Sequence, residues 1–137
     1  MISFNYEMDF SLDNSDEIIE WLVQAIKNEN FKIEMISYIF CSDDYLLNIN
    51  NKYLKHNTLT DIISFDETIG KIIAGDIFIS IDRVQENADI FKVSFNDELH
   101  RVMIHGILHF CGYKDKLKEE KRIMRDKEDY YLSLRDF

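Results

Sequence analysis

The sequence contains no proline, no internal repeat and no low-complexity linker. Proline-rich, glycine-rich and compositionally biased stretches often mark the junctions between domains, so their absence argues against a domain boundary. At 137 residues the chain is long enough for one domain with a hydrophobic core and too short for two ordinary ones. Hydrophobic residues make up 46% of it, which excludes a largely disordered chain. We therefore predict a single domain over residues 1–137.

Long hydrophobic runs and export signals are also missing. No apolar run approaches the roughly 20 residues of a membrane span, and the N-terminal MISFNYEMDF lacks a basic segment followed by a hydrophobic one. We therefore predict a cytoplasmic protein that does not bind a membrane. In that setting, the two cysteines, Cys41 and Cys111, are interpreted as buried thiols rather than as a disulfide.

Positive charge is scarce, since 16 lysines and arginines stand against 26 acidic residues and the net charge is −10. This balance argues against a general nucleic-acid binder, because non-specific affinity comes from neutralising phosphates. The segment from Lys114 to Lys127 is different, with seven basic residues against four acidic ones. By itself such a run is typical of a solvated helix face with ion pairs between positions i and i+4.

The stretch HGILHFCGYKD, from His105 to Asp115, has the spacing of a metal site. On a helix, His109 lies about 40° around the axis from His105 and one turn further along, so both imidazoles can reach one ion. Gly112 suits the left-handed position that ends a helix, and the chain can then bring Asp115 towards the rings. Two nitrogens and one carboxylate oxygen leave a position open for water, as in catalytic zinc sites.

Two neighbouring positions refine this interpretation. Glu98 is seven positions before His105 and lies on the same stripe of the helix, so we predict that it orients a ligating histidine from the second coordination shell. The spacing is also that of metzincin proteases, whose motif places a general-base glutamate directly after the first histidine. Here that position is Gly106, so a peptidase would lack its base. A histidine pair alone is more often ordinary helix packing, but the glycine and the acid favour a metal site.

The order of elements predicts an α+β fold with a small mixed β-sheet packed against helices and the metal site on a central helix. The predicted strands are residues 2–6, 33–41, 60–65 and 71–80, the last two as an antiparallel hairpin or close pair, with a bulge or close backbone approach at Gly75. The predicted helices begin at Asp13 or Ser15, at Ser42, around residues 82–88, at a capping box of Ser94 and Asp97, and at residue 116.

Three segments together resemble the YbeY family of metal-dependent endoribonucleases. They are TDIISF at residues 60–65, GDIFIS at residues 75–80, and ELHRVMIHGILHFCGYKD at residues 98–115. The resemblance implies an α+β fold, one bound divalent ion such as zinc, and a role in 3′-end maturation of small-subunit ribosomal RNA and in ribosome quality control. It also implies ribosomal RNA and the small ribosomal subunit as partners, and neither DNA nor a membrane.

The sequence departs from the family pattern at two positions. The family motif usually ends in a third histidine, where this chain has Asp115, and a carboxylate there would make harder ions more competitive. The family also usually has an arginine six residues before the threonine of TDIISF, where this chain has Leu54. An arginine there could hold a phosphate, so we expect the adjacent Lys55 and His56 to contact substrate in its place.

Three functions are consistent with these observations. The first is an endoribonuclease acting on ribosomal RNA, with a catalytic base that the sequence does not identify. The second is a non-catalytic assembly factor that keeps the metal for stability, which the missing arginine favours. The third is a metallohydrolase of another substrate, with peptidase disfavoured by Gly106.

Overall fold

The computed structural model describes residues 1–137 as five α-helices and four β-strands. In chain order these are β1 (Ile2–Tyr6), α1 (Ser15–Asn28), β2 (Lys32–Cys41), α2 (Asp43–Leu54), β3 (Ile62–Asp66), β4 (Ile72–Ser80), α3 (Ile81–Phe91), α4 (Phe95–Phe110) and α5 (Lys118–Ser133). Each predicted element is present, and the predicted α+β class is confirmed. None of the helices is both long and apolar enough to cross a membrane.

The four strands form one mixed sheet in the order β1-β2-β4-β3. β2 pairs in parallel with β1 and with β4, whereas β3 runs antiparallel to β4 with Ile62 opposite Ile79. This confirms the predicted antiparallel pair. The irregularity in the sheet lies in β2 between Ile33 and Met35 and not at Gly75, so the bulge expected there is absent.

Gly75 instead marks a close approach between backbones, which is the other predicted possibility. A Cβ atom at this position would lie 2.4 Å from the carbonyl oxygen of Phe65 and 2.8 Å from the ring of Phe110. Phe65 is on the neighbouring strand β3 and Phe110 is the last residue of α4. The missing side chain therefore lets the end of the histidine-bearing helix sit directly on the sheet.

The helix starts agree with the sequence except at α1. Ser42 and Ser94 cap α2 and α4, their hydroxyl groups accepting hydrogen bonds from the backbone three residues ahead at 3.2 Å and 3.0 Å. The return bond of the box predicted at Ser94 is absent, and the Asp97 carboxylate instead accepts from Arg135 at 2.9 Å. The prediction of Asp13 or Ser15 as the cap of α1 is wrong. Asn14 takes that position in the left-handed conformation, without a side-chain hydrogen bond.

Helix α4 is the central helix of the domain and lies on the sheet. Its predicted apolar stripe is buried as expected (Leu99, Met103, Ile107 and Phe110). The hydroxyl of Tyr38 in β2 donates to the backbone oxygen of Met103 at 2.8 Å, which ties the helix to the middle of the sheet. Gly106 also faces the sheet, where an added Cβ would lie 2.9 Å from Ile77. The opposite face of α4 is left for the histidines.

Both cysteines are free thiols. Cys41 is buried at the end of β2, and Cys111 is half-buried just after α4. The side chain of Cys111 packs against the main core and not with the two histidines.

Candidate metal centre

His105 and His109 lie one turn apart near the C-terminal end of α4, with ring centroids 4.5 Å apart. The helix ends at Phe110, and Gly112 follows with a φ of 98°, which lets the chain reverse direction. The reversal brings Asp115 back to the rings, and its Oδ2 lies 3.2 Å from His105 Nε2 and 3.4 Å from His109 Nε2. One ligand atom from each of the three residues lies within 4.8 Å of the others, so the group could hold a metal ion.

The second nitrogen of each imidazole is held by another part of the chain. His105 Nδ1 lies 2.6 Å from Oε2 of Glu128 on α5, and His109 Nδ1 lies 2.9 Å from the backbone oxygen of Tyr113. A carbonyl oxygen can only accept, so His109 must carry its proton on Nδ1. Both Nε2 atoms are thereby directed at Asp115, which is the orientation that second-shell contacts give to ligating histidines.

The spacing of the candidate ligand atoms matches what a tetrahedral ion requires. A tetrahedral ion with bonds of about 2.0–2.2 Å to nitrogen and oxygen separates neighbouring ligand atoms by about 3.4 Å. The distances of 3.2 Å and 3.4 Å from Asp115 Oδ2 to the two Nε2 atoms match that separation. The donor set of two neutral nitrogens and one carboxylate also suits a divalent cation. The residues present therefore fit such an ion.

The acid that contacts a ring of the histidine pair is Glu128, on α5, and not Glu98, which was predicted to do so. Glu128 is 4% exposed and also accepts from Arg101 at 2.9 Å. Burial alone would lower the pKa of His105, but the hydrogen bond and negative charge of Glu128 outweigh it and raise that pKa. Glu98 is buried too, but its pKa is shifted by burial and by nearby charges, with no hydrogen bond among the causes.

An open cleft of about 480 Å³ contains the histidine–aspartate group. Its walls come from the loop before β3, the strand β3 itself, and helices α3, α4 and α5. The lining residues other than the three candidate ligands are mostly polar or charged (Thr60, Asp61, Ser64, Asn87, Glu98, Arg101, Arg125 and Glu128, with the apolar Ile62, Phe91 and Val102). A polar, solvent-open cleft of this kind suits a charged substrate better than an apolar ligand.

Two carboxylic acids in this cleft have perturbed ionisation. Burial raises the pKa of Asp61, and burial together with the negative charge of Asp61 raises the pKa of Glu98. Carboxylic acids with raised pKa values in a cleft are candidates for holding and transferring protons. The sequence had identified no acid or base, and these two residues fill that gap as candidates.

The structure places the predicted substrate contacts Lys55 and His56 outside the lining of this cleft. Both follow α2 and are exposed, and Lys55 adopts the left-handed conformation that ends the helix. Leu54, at the family's arginine position, is exposed and does not line the cleft either. The cations that do line it are Arg101 and Arg125.

A second depression of about 440 Å³ adjoins the first cleft and shares four lining residues with it, among them His105 and Asp115. It is lined by His105, Asp115, Lys121, Met124, Arg125 and Glu128. Lys121, Arg125 and Glu128 are spaced four and three residues apart, which puts them on one face of α5. The spacing was visible in the basic segment of the sequence, but nothing local indicated that this face of α5 packs beside the histidines.

The fold and the site together define a class of protein. An α+β domain that presents two histidines and an aspartate in a cleft with acidic and basic side chains has the components of a metal-dependent hydrolase.

Comparison with known proteins identifies the family. Residues 2–135 match the family model described as Endoribonuclease YbeY. The chain is 58% identical over 134 residues to Endoribonuclease YbeY of Flavobacterium psychrophilum, covering 98% of this chain and 96% of that protein. With the same coverage it is 54% identical over 134 residues to that of Flavobacterium johnsoniae. The solution structure of TM1509 from Thermotoga maritima is similar with a TM-score of 0.71 and 27% identity, covering 97% of this chain and 87% of that one. The chain belongs to the YbeY family of endoribonucleases.

Proposed function

We propose that this protein is a metal-dependent endoribonuclease that acts on ribosomal RNA, in 3′-end maturation of small-subunit RNA and in ribosome quality control. Family membership over residues 2–135 supports the nuclease activity. The observation that carries the metal dependence is the convergence of His105, His109 and Asp115 in one cleft. An activity on ribosomal RNA would place the protein in the cytoplasm, with the small ribosomal subunit as its partner.

We infer that the cofactor is one divalent ion, zinc, held by His105, His109 and Asp115. Two imidazole ligands at tetrahedral spacing favour zinc over magnesium or calcium, which prefer oxygen ligands. An ion held by these residues would supply a Lewis acid that polarises a phosphoryl oxygen or activates a water molecule. Glu128 and the backbone oxygen of Tyr113 hold the two rings in the orientation that this requires.

The phosphate of the substrate needs cations near the ligands, and α5 supplies them. Lys121 and Arg125 border the histidine–aspartate group, and Arg125 is 59% exposed although it lies 3.8 Å from Glu128. Arg101 is less available, because it is held by Glu128 at 2.9 Å and Asp129 at 2.6 Å. We infer that Lys121 and Arg125 bind the phosphates on either side of the cleavage point. The whole chain has a net charge of −10, whereas basic residues outnumber acidic ones between Lys114 and Lys127, so this segment is the part of the chain whose charge favours RNA.

The candidates for proton transfer are the two acids of the cleft with raised pKa values, Asp61 and Glu98, of which Glu98 is the more buried. Glu98 is 5% exposed, and its raised pKa means that its carboxyl oxygen can hold a proton closer to neutral pH than an ordinary glutamate. As the oxygen of a water molecule bonds to phosphorus and the bond between phosphorus and the sugar oxygen breaks, the proton on Glu98 can pass to that departing sugar oxygen.

The test is cleavage of a precursor ribosomal RNA by purified protein, with and without a chelator. We expect cleavage that the chelator abolishes and added zinc restores, and about one ion per chain by elemental analysis. His105→Ala and His109→Ala should lose both the ion and the cleavage. Asp136→Ala, at an exposed carboxylate near the C-terminus, is the control and should keep both. Cleavage that persists in the chelator and in both histidine variants would refute the proposal.

A further inference from the structure

Phe91, the last residue of α3, has an aromatic ring that is not buried in the hydrophobic core. It is 56% exposed, and its neighbours Ile90 and Val93 are 62% and 44% exposed. None of the three belongs to the buried core, and no other aromatic ring pairs with Phe91. Contiguous exposed apolar side chains next to a functional site commonly mark a binding surface.

Phe91 belongs to the same cleft as the candidate metal ligands. Apart from the histidine rings of the candidate metal site, it is the only aromatic residue among those that line the 480 Å³ cleft. Asn87 also lines that cleft and is four residues earlier on α3, so the amide and the ring are neighbours on one helix face. The cleft therefore offers an aromatic surface beside a hydrogen-bonding amide, with Arg101 and Arg125 on its other walls.

The ring is presented on a rigid support. Lys92 ends α3 in the left-handed conformation with a φ of 58°, and its backbone N–H donates to the carbonyl groups of Ala88 and Asp89. The N–H of Val93 donates to Ala88 at 3.1 Å, which closes the end of the helix. Val84 and Ala88 anchor the buried side of the same helix in the interior. Phe91 is thus held at a fixed height on the cleft wall.

We propose that Phe91 and Asn87 form a nucleobase-binding subsite, in which the ring of Phe91 stacks on the base next to the scissile phosphate. An aromatic face binds any base by stacking, and an amide at its edge can hydrogen-bond to the base. Lys121 and Arg125 of α5 account for the phosphates, and the wall formed by Asn87 and Phe91 accounts for the base. The inference rests on the proposed action on RNA and adds the residues that hold the nucleotide.

The experiment measures binding of a labelled RNA of about 12 nucleotides that resists cleavage because it carries phosphorothioate linkages and 2′-O-methyl groups. Phe91→Ala should weaken binding by roughly fivefold to hundredfold, the range for loss of one stacked base. Phe91→Trp should keep the affinity of the parent for RNA. Phe91→Leu should lose affinity as Phe91→Ala does, because leucine is apolar but has no ring face. Tyr130→Ala is the matched control, since Tyr130 is a half-exposed aromatic on α5 outside the cleft. It should bind like the parent.

A set of the same RNAs, each lacking one base, identifies the partner of the ring. At one position, removal of the base should weaken binding to the parent about as much as Phe91→Ala does, with no further loss when both changes are combined. Equal affinity of the parent and Phe91→Ala for the intact RNA would overturn the subsite and assign the apolar residues to a protein partner. Additive losses at every position, or full affinity in Phe91→Leu, would also overturn it.

The outcomes separate this inference from the proposed function. Chelator-sensitive cleavage of precursor RNA without any effect of Phe91 on RNA binding would refute the subsite alone. RNA binding that depends on Phe91, in a protein that never cleaves RNA, would refute the nuclease function and support the subsite. Circular dichroism of each variant checks folding, which an exposed ring outside the core should not affect.

Discussion

Glu128→Gln tests whether the buried contact between α5 and His105 tunes metal affinity. In the protein, Glu128 Oε2 lies 2.6 Å from His105 Nδ1, and Oε1 accepts from Arg101 at 2.9 Å. Glutamine has nearly the same shape and keeps one oxygen, but it removes the negative charge from a side chain that is only 4% exposed. The substitution therefore removes the charge of the contact and leaves the packing in place.

The expected magnitude follows from similar contacts in metal sites. Loss of a second-shell partner of a ligating histidine weakens metal binding by about 10-fold to 100-fold, or about 1.4–2.7 kcal/mol. The structure supports a value in this range, because the rest of the site keeps its own contacts. His109 retains its bond to the Tyr113 carbonyl, and Arg101 retains Asp129 at 2.6 Å. The free energy of unfolding of the metal-free protein should change less than the free energy of metal binding does.

The assay is a competition titration of zinc between the protein and a chromophoric chelator at constant pH. Glu119→Gln is the matched control, because it is the same chemical change on the same helix at an exposed residue paired with Arg122. We expect the dissociation constant to rise at least tenfold in Glu128→Gln and to remain unchanged in Glu119→Gln. Equal affinities in the two variants, with both folded, would refute the idea that Glu128 orients His105.

Four further outcomes are expected. Asp115→Ala should weaken zinc binding, whereas Asp115→His should keep it; equal retention in both, by elemental analysis, would exclude the carboxylate as a ligand. Gly75→Ala should lower the free energy of unfolding by about 2 kcal/mol or more, measured by urea unfolding, because its Cβ would lie 2.4 Å from a backbone oxygen. Burial, and secondly the charge of Arg135, lowers the pKa of His100 to about 4. As the pH falls, His100 therefore takes up a proton in the unfolded chain before it does so in the folded protein, and the folded state loses stability. As the pH falls from about 7 to about 5, the free energy of unfolding of the parent, measured by urea unfolding, should fall by about 2 kcal/mol more than that of His100→Gln. Chelator-sensitive cleavage of casein should be absent, since Gly106 faces the sheet and no base follows His105.

The sequence determined those features that depend on residues close together in the chain. The pairing of His105 with His109 needs only the pitch of a helix, and the return of Asp115 needs only a turn at Gly112. The caps at Ser42 and Ser94 are local for the same reason. The antiparallel pair of β3 and β4 was predictable because a short link joins two strand-forming segments.

Tertiary structure decided which distant side chains complete the site. Glu98 shares a helix face with His105 and was the reasonable local choice, but the contact comes from Glu128, 23 positions further along the chain. Lys55 and His56 adjoin the family's arginine position, yet the cations beside the candidate ligands are Lys121 and Arg125. Nothing in the charge pattern of the basic segment distinguishes the face of α5 that meets α4 from the face that meets water.

That face is set by packing across the whole domain. Met124 and Tyr131 bury the inner side of α5, and Trp21 of α1 donates from Nε1 to the backbone oxygen of Tyr131 at 2.7 Å. These contacts fix the rotation of α5 about its own axis and so carry Glu128 to His105. Hydrophobic periodicity predicts that a helix has an inner side, but it does not state which neighbour that side will meet. The metal-binding pattern is therefore local, whereas the contacts that orient it depend on how α1, α4 and α5 pack together.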